Sequence, residues 1–261
     1  MRVLVTFAVD AEFAAWRNMR KFRSIDYDGL RLWKTEVGGT EITVMVTGIG
    51  TEAAAQAMGL MMRMADDDRH FDICISSGLA GALQKGLAPG DIIAPQSLIV
   101  EYPRAGGETD ELKVDVELRT KALAAGAICS DCLFTTSRVF VKASQKQNCA
   151  SRAQSVDMES FEIVREANAW GARAVVVRAI SDTAEEDLPI DFNRTLSKTN
   201  EVSVAKVILE LAKNPLVLPA LLRFAKQSRH AAQRLANFLD SYVQQINVGS
   251  QADHAQEVAA G

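Results

Sequence analysis

The sequence predicts an α/β protein, a three-layer α/β/α domain built on a central mixed β-sheet with a helical C-terminal extension. Three observations carry that prediction. Short β-type runs alternate with helical stretches up to Ser181. The runs Asp72–Ser77 and Ala172–Ser181 are apolar on both faces, as strands between two helix layers must be. From Thr199 onward the pattern becomes entirely helical.

Taken in order, Arg2–Val9 reads as the first strand and Ala11–Lys21 as a helix. Leu30–Val37 and Glu41–Thr47 form two β runs, and Gly38-Gly39 between them is a hairpin signal. Ala53, Ala57, Leu60, Met61 and Met64 fall at helical spacing and predict a helix over Thr51–Asp66. The apolar strand Asp72–Ser77 ends in a glycine loop, and β stretches follow at Asp91–Pro95 and Ser97–Glu101. Pro103–Lys113 reads as an exposed loop. A helix over Asp115–Ala125, a strand over Leu133–Thr136, a helix over Met158–Ala169 and the strand Ala172–Ser181 complete the domain. The boundaries are therefore 1–198 for the α/β domain, 199–246 for the helical extension and 247–261 for a polar, small-residue tail expected to be disordered.

Composition narrows the class. With 261 residues, 48% hydrophobic and 24% charged, the chain is an ordinary globular protein, which excludes disordered, collagenous and disulfide-scaffold classes. Its net charge of −4 gives no electrostatic footprint for nucleic acid. No run approaches the roughly 20 apolar residues that span a bilayer. Asp10 and Glu12 interrupt the apolar start, so it reads as a strand and not a signal peptide. Four cysteines without an export signal place the chain in a reducing cytoplasm. The charge is uneven, however: Arg223, Lys226, Arg229 and Arg234 face one acid, Asp240, between positions 215 and 246.

Several short constellations could carry chemistry. Gly48-Ile49-Gly50 lies between a strand and a helix, but no acid ends the next strand to bind a ribose, so a tight turn is preferred to a dinucleotide site. Gly78, Leu79 and Ala80 follow the apolar strand, where glycine lets the backbone approach a ligand closely. Asp157-Met158-Glu159 opens a helix. Asp182 ends the most buried strand, beyond which ligands of open α/β sheets bind. Asp10 after the first strand reads as a helix cap, whereas Glu12 does not. Glu12, Glu159 and Asp182 thus supply what glycosidic chemistry requires: an acid for the leaving group, a base for water, and a carboxylate to hold the sugar. Cys129 and Cys132 have no second pair, and the histidines form no triad; neither metal nor cofactor is expected.

Together these motifs, in this order over about residues 2–195, resemble the nucleoside phosphorylase/nucleosidase superfamily, in its methylthioadenosine/S-adenosylhomocysteine nucleosidase branch. The resemblance implies cleavage of the N-glycosidic bond of an adenine (purine) nucleoside. Glu12 would activate water and Asp182 would protonate purine N7. Glu159 would bind the ribose hydroxyls above Met158, and Phe140 and Val141 would bind the base. Two departures matter. Leu79 stands where those nucleosidases carry Ser or Thr, and the first turn lacks the Gly and Arg that phosphorylases use for phosphate. Hydrolysis is therefore preferred to phosphorolysis. The apolar glycine loop, Asp157 and the basic extension are similar to the hopanoid-associated, adenosylhopane-type nucleosidases. Futalosine hydrolases share the apolar loop, and a non-catalytic nucleoside-binding protein is the alternative from another class.

The resemblance also implies a homodimer. Within the extension Leu235, Phe238, Leu239, Tyr242, Val243 and Ile246 share one helical face. That face packs either on protein or, with its basic neighbours, on anionic lipid at the inner membrane surface through 215–246.

Overall fold

The computed structural model describes residues 1–27, 29–64, 70–101, 109–194 and 214–259. Ten strands form one sheet: β1 (Arg2–Phe7), β2 (Arg23–Tyr27), β3 (Leu30–Val37), β4 (Thr40–Val46), β5 (Ile73–Ala82), β6 (Ile92–Glu101), β7 (Thr109–Lys113), β8 (Ile128–Thr135), β9 (Ser155–Asp157) and β10 (Arg173–Asp182). The helices are α1 (Asp10–Met19), α2 (Thr51–Met64), α3 (Val116–Ala124), α4 (Ala143–Cys149), α5 (Ser160–Ala169) and α6 (Leu218–Ala259).

The mixed sheet is present, and it also closes on itself. β1 pairs in parallel with β4 and β5, and β2 and β3 extend that side as an antiparallel wing. Past β5 the sheet continues through β10, β6, β8 and β9 and returns to β5, a five-stranded ring. Closing a ring needs strands that bend, and a bulge supplies the bend where the site lies. Ile180 pairs with Ala80 but Asp182 pairs with Gly81, so Ser181 is the extra residue. A bulge breaks the in–out alternation and re-aims the side chains around it.

Period-2 alternation sorts the core into two layers. Val3, Val5, Phe7, Ile73, Ile75, Val175 and Val177 face α1, α3 and α6. Leu4, Cys74, Ala174 and Val176 face α2 and α5. The C-terminal helix is a full member of the first layer: Leu235, Phe238, Leu239, Tyr242, Val243 and Ile246 are all buried there. Tyr242 donates to the Leu118 carbonyl at 2.8 Å, and Asp240 accepts from Trp16 Nε1 at 3.2 Å and from Arg20. The face that could have met lipid is occupied by the protein's own core.

The remaining differences have local causes. Ser77 to Ala82 is not a loop: the glycines lie within β5, held by pairing to β10 on one side and β9 on the other. The two β stretches around Pro95 are one strand, β6, and the end of the predicted loop is strand β7 paired to it. β2, α4 and β9 were not predicted; they are short, and β2 is largely exposed, so it lacks an apolar signal. Helix α6 runs past Ile246 to Ala259, through the tail expected to be disordered. The first part of the helical pattern expected from Thr199, up to residue 213, lies outside the described residues.

Candidate active site

Glu12 sits where β1 turns into α1. Its carboxylate accepts backbone N–H bonds from Ala8 at 3.0 Å, Val9 at 3.4 Å and Leu79 at 2.9 Å. Capping is therefore done by Glu12 and not by Asp10, which pairs with Arg17 on the surface. Behind Glu12, fully buried Arg178 donates to the Ser77 carbonyl, to Ser76 and Ser160 hydroxyls, and to Asp157 at 2.7 Å. It reaches Glu159 at 3.8 Å. Glu159, at the start of α5, accepts the Gly50 amide at 2.8 Å, so the Gly48-Ile49-Gly50 turn serves the acid on the facing element.

Asp182 approaches from the bulged end of β10. Its Oδ1 accepts from Ser181 Oγ at 2.5 Å, and its Oδ2 lies 2.5 Å from Lys146 Nζ. Glu12, Glu159 and Asp182 line one cavity of about 260 Å³ together with Met158, Phe140, Leu79 and Ala80. Its wall is mostly apolar, with Ile49, Val139, Val156, Leu188, Phe192 and Phe224 contributing. A few convergent polar groups in an apolar pocket are the form of a small-molecule site.

Two of the expected contacts are corrected. Val141 is not in the cavity wall; its amide is taken by Gln145 Oε1 at 2.9 Å and its carbonyl by the Leu188 amide at 2.8 Å. Gly78 is not in the wall either, and Gly81 is. Gly78 instead leaves room for the charged cluster: at φ +138° a Cβ there would lie 2.4 Å from Arg178 Nη1 and 3.0 Å from Glu12 Oε2. Gly78→Ala combines backbone strain with that collision, and we expect a loss of about 1–3 kcal/mol or more, read as a lowered unfolding midpoint. Sequence reasoning missed Lys146, which is fully buried on α4, a helix with no apolar periodicity to announce it.

Burial decides the electrostatics of two of the acids. It raises Glu12 above the ordinary carboxylate range, against the opposing pull of Arg178 and the amides of Leu79, Val9 and Ala8. Burial raises Glu159 as well, to about 8; Arg178 opposes this, while the nearby charges of Asp157 and Glu12 add to it. A raised carboxylate is a stronger base and suits water activation near neutral pH.

The sequence and the fold both have known relatives. A family model described as the Phosphorylase superfamily matches residues 2–213. A 5′-methylthioadenosine/S-adenosylhomocysteine nucleosidase of Glaesserella parasuis serovar 5 (strain SH0165) is 25% identical over 206 residues, covering 71% of this chain and 86% of the relative. Among solved structures, a mutant Helicobacter pylori nucleosidase of this kind, with 5′-methylthioadenosine in its active site, superposes with a TM-score of 0.71 at 17% identity, covering 94% of this chain and 98% of that one. The native futalosine hydrolase of H. pylori gives a TM-score of 0.69 at 18% identity, with the same coverage.

Proposed function

The chain belongs to the phosphorylase superfamily, and from that premise we propose that it hydrolyses the N-glycosidic bond of an adenine-type purine nucleoside. The observation that carries the reading is the meeting of Glu12, Glu159 and Asp182 in one mostly apolar cavity. Glu159 accepts the ribose 2′- and 3′-hydroxyls over Met158, and Phe140 packs against the base. Asp182 gives a proton to N7 as the bond from C1′ to N9 breaks and its electron pair passes to the base. Glu12 takes a proton from the water that attacks C1′.

Water is preferred to phosphate on charge grounds. A phosphate dianion would enter beside Glu12, which must be ionised to act as a base; the two buried cations already hold partners, Arg178 with Asp157 and Lys146 with Asp182, and the other basic residue of the lining, Arg138, is exposed to solvent. Like charges at close range in a low-dielectric site cost several kcal/mol. The test is to incubate the purified protein with adenosine and 5′-thio analogues, with and without inorganic phosphate. Free ribose in both conditions supports hydrolysis; ribose 1-phosphate formed only with phosphate overturns it.

The pH profile follows from the raised carboxylates. Glu12 must be ionised to act as a base, so activity falls as pH drops through its raised value. That limb lies above the ordinary carboxylate range. Glu159, at about 8 in the empty site, accepts two hydroxyl bonds once ribose binds, which favours its charged form. The acid limb of kcat/KM, which reports the free enzyme, should therefore lie at higher pH than that of kcat. Coincident limbs would remove Glu159 from ribose recognition.

The methylthioadenosine, S-adenosylhomocysteine and futalosine substrates of the relatives are alternatives for the 5′ group. We favour a lipid-linked, adenosylhopane-type nucleoside, in a cytoplasmic homodimer that touches the membrane peripherally. With the 231–246 face buried, that contact narrows to the start of α6. Leu218 and Leu222 are exposed there beside Arg223 and Lys226, on the helix whose Phe224 lines the cavity, and Leu216 is exposed in the turn just before it. Binding to anionic liposomes that is lost in a Leu218→Asp/Leu222→Asp double variant supports this; pelleting that the substitutions leave unchanged rules it out.

A further inference from the structure

Within the described residues, two basic side chains are fully buried, Arg178 and Lys146, and the second is not accounted for by the three acids' roles. Lys146 Nζ has three hydrogens and three acceptors: Asp182 Oδ2 at 2.5 Å, the Thr183 carbonyl at 2.6 Å and the Glu186 carbonyl at 2.9 Å. Burying an ammonium is costly unless it is paired and hydrogen-bonded, and this one is both. A methionine or leucine would fill the same space without that cost, so the charge is placed where it acts on Asp182. The helix that carries it is fixed from the other side, where Asp187 holds Lys142 Nζ and the Ala143 amide, each at 2.8 Å. Lys146 also lines the cavity, on the side of Asp182.

We propose that Lys146 is a positioning residue for the acid step. It holds the Asp182 carboxyl in one orientation by gripping Oδ2 while Ser181 grips Oδ1. It also balances the charge that appears there during the reaction. In the reactive form Asp182 carries a proton on Oδ1, and Ser181 Oγ turns its own hydrogen to the Ala80 carbonyl at 3.2 Å. When the C1′–N9 bond breaks, its electron pair goes to the base, that proton goes to N7, and Asp182 is left as a carboxylate. An ammonium already fixed against Oδ2 stabilises that negative charge without reorganising at the moment of transfer. The loop from Thr183 to Glu186, tied to the same ammonium through two carbonyls, is locked to the acid it follows. The proposal rests on the reading of Asp182 as the acid.

The test compares two leaving groups. Adenine needs a proton to leave; 4-nitrophenolate does not. Lys146→Met removes the charge and keeps the aliphatic bulk, and Lys146→Gln keeps a hydrogen-bond donor in case the first variant folds poorly. With adenosine we expect kcat to fall about 100-fold or more in both variants, the scale of lost acid–base catalysis, with KM changed much less. With 4-nitrophenyl β-ribofuranoside the same variants should remain within a few-fold of wild type. Equal losses on both substrates would reduce Lys146 to a structural role and overturn the proposal. So would undiminished adenosine cleavage in a folded variant. A wild-type protein that releases nothing from either compound overturns the hydrolase reading itself, and this inference with it.

Discussion

Replacing Asp182 by Asn should remove base release by about 100- to 10,000-fold, the range for loss of a general acid, while nucleoside binding survives. The variant is nearly isosteric: its single carbonyl oxygen can still accept from Lys146, while its NH2 donates to Ser181 Oγ, whose own hydrogen goes to the Ala80 carbonyl. It lacks the transferable proton. Adenine is a poor leaving group when it departs as an anion, so the loss falls on kcat. A nucleoside analogue whose leaving group needs no proton should recover most of the rate. Equilibrium binding and initial rates on the same preparation check this together; unchanged turnover would remove Asp182 from the chemistry.

Glu12→Gln should be comparably severe for a different reason. Three backbone amides converge on the two oxygens of Glu12, two on Oε2 and one on Oε1. A carboxamide has a single acceptor oxygen, so its NH2 must face one of those amide hydrogens. The variant therefore loses the base for water and also turns a hydrogen bond into a donor–donor contact. We expect kcat to fall by about 100- to 10,000-fold, with no recovery on an activated leaving group, since water attack still lacks a base. That failure to recover separates Glu12 from Asp182 in a single assay. Recovery in both variants would mean that the two carboxylates do not divide the work as described.

Much of this site was readable because strand ends announce themselves. Asp182 closes the strand that reads as the most buried of the chain, and Glu12 follows the first strand, so both fall where a sheet presents side chains to a crevice. Glu159 was legible from its place at a helix start. The glycines were recognised as a close approach of backbone, but not to what: Gly78 accommodates Arg178 and Glu12, and Gly50 offers its amide to Glu159. Such partners are set by tertiary contact and leave no local pattern.

For the same reason the closure of the sheet was not foreseen. It depends on one residue, Ser181, bulged against a glycine strand, and on the three-residue strand β9. Val141 was misplaced because its backbone partners, Gln145 and Leu188, come from a short helix and a loop that have no periodicity to read. Lys146 was invisible on similar grounds, since a lysine in a polar helix reads as solvated. The apolar face of α6 was correctly located, and only its partner was left open; the buried contacts with α1 and α3 settle that in favour of protein.

The division of labour among the three acids can be observed directly in a crystal of the Asp182→Asn protein soaked with adenosine, where the substrate should persist uncleaved. The account predicts an intact nucleoside in the cavity, its 2′- and 3′-hydroxyls on Glu159, N7 facing position 182, and a water on Glu12 beside C1′. A nucleoside bound outside the cavity, or one turned so that its sugar faces position 182 and its base faces Glu12, would contradict it.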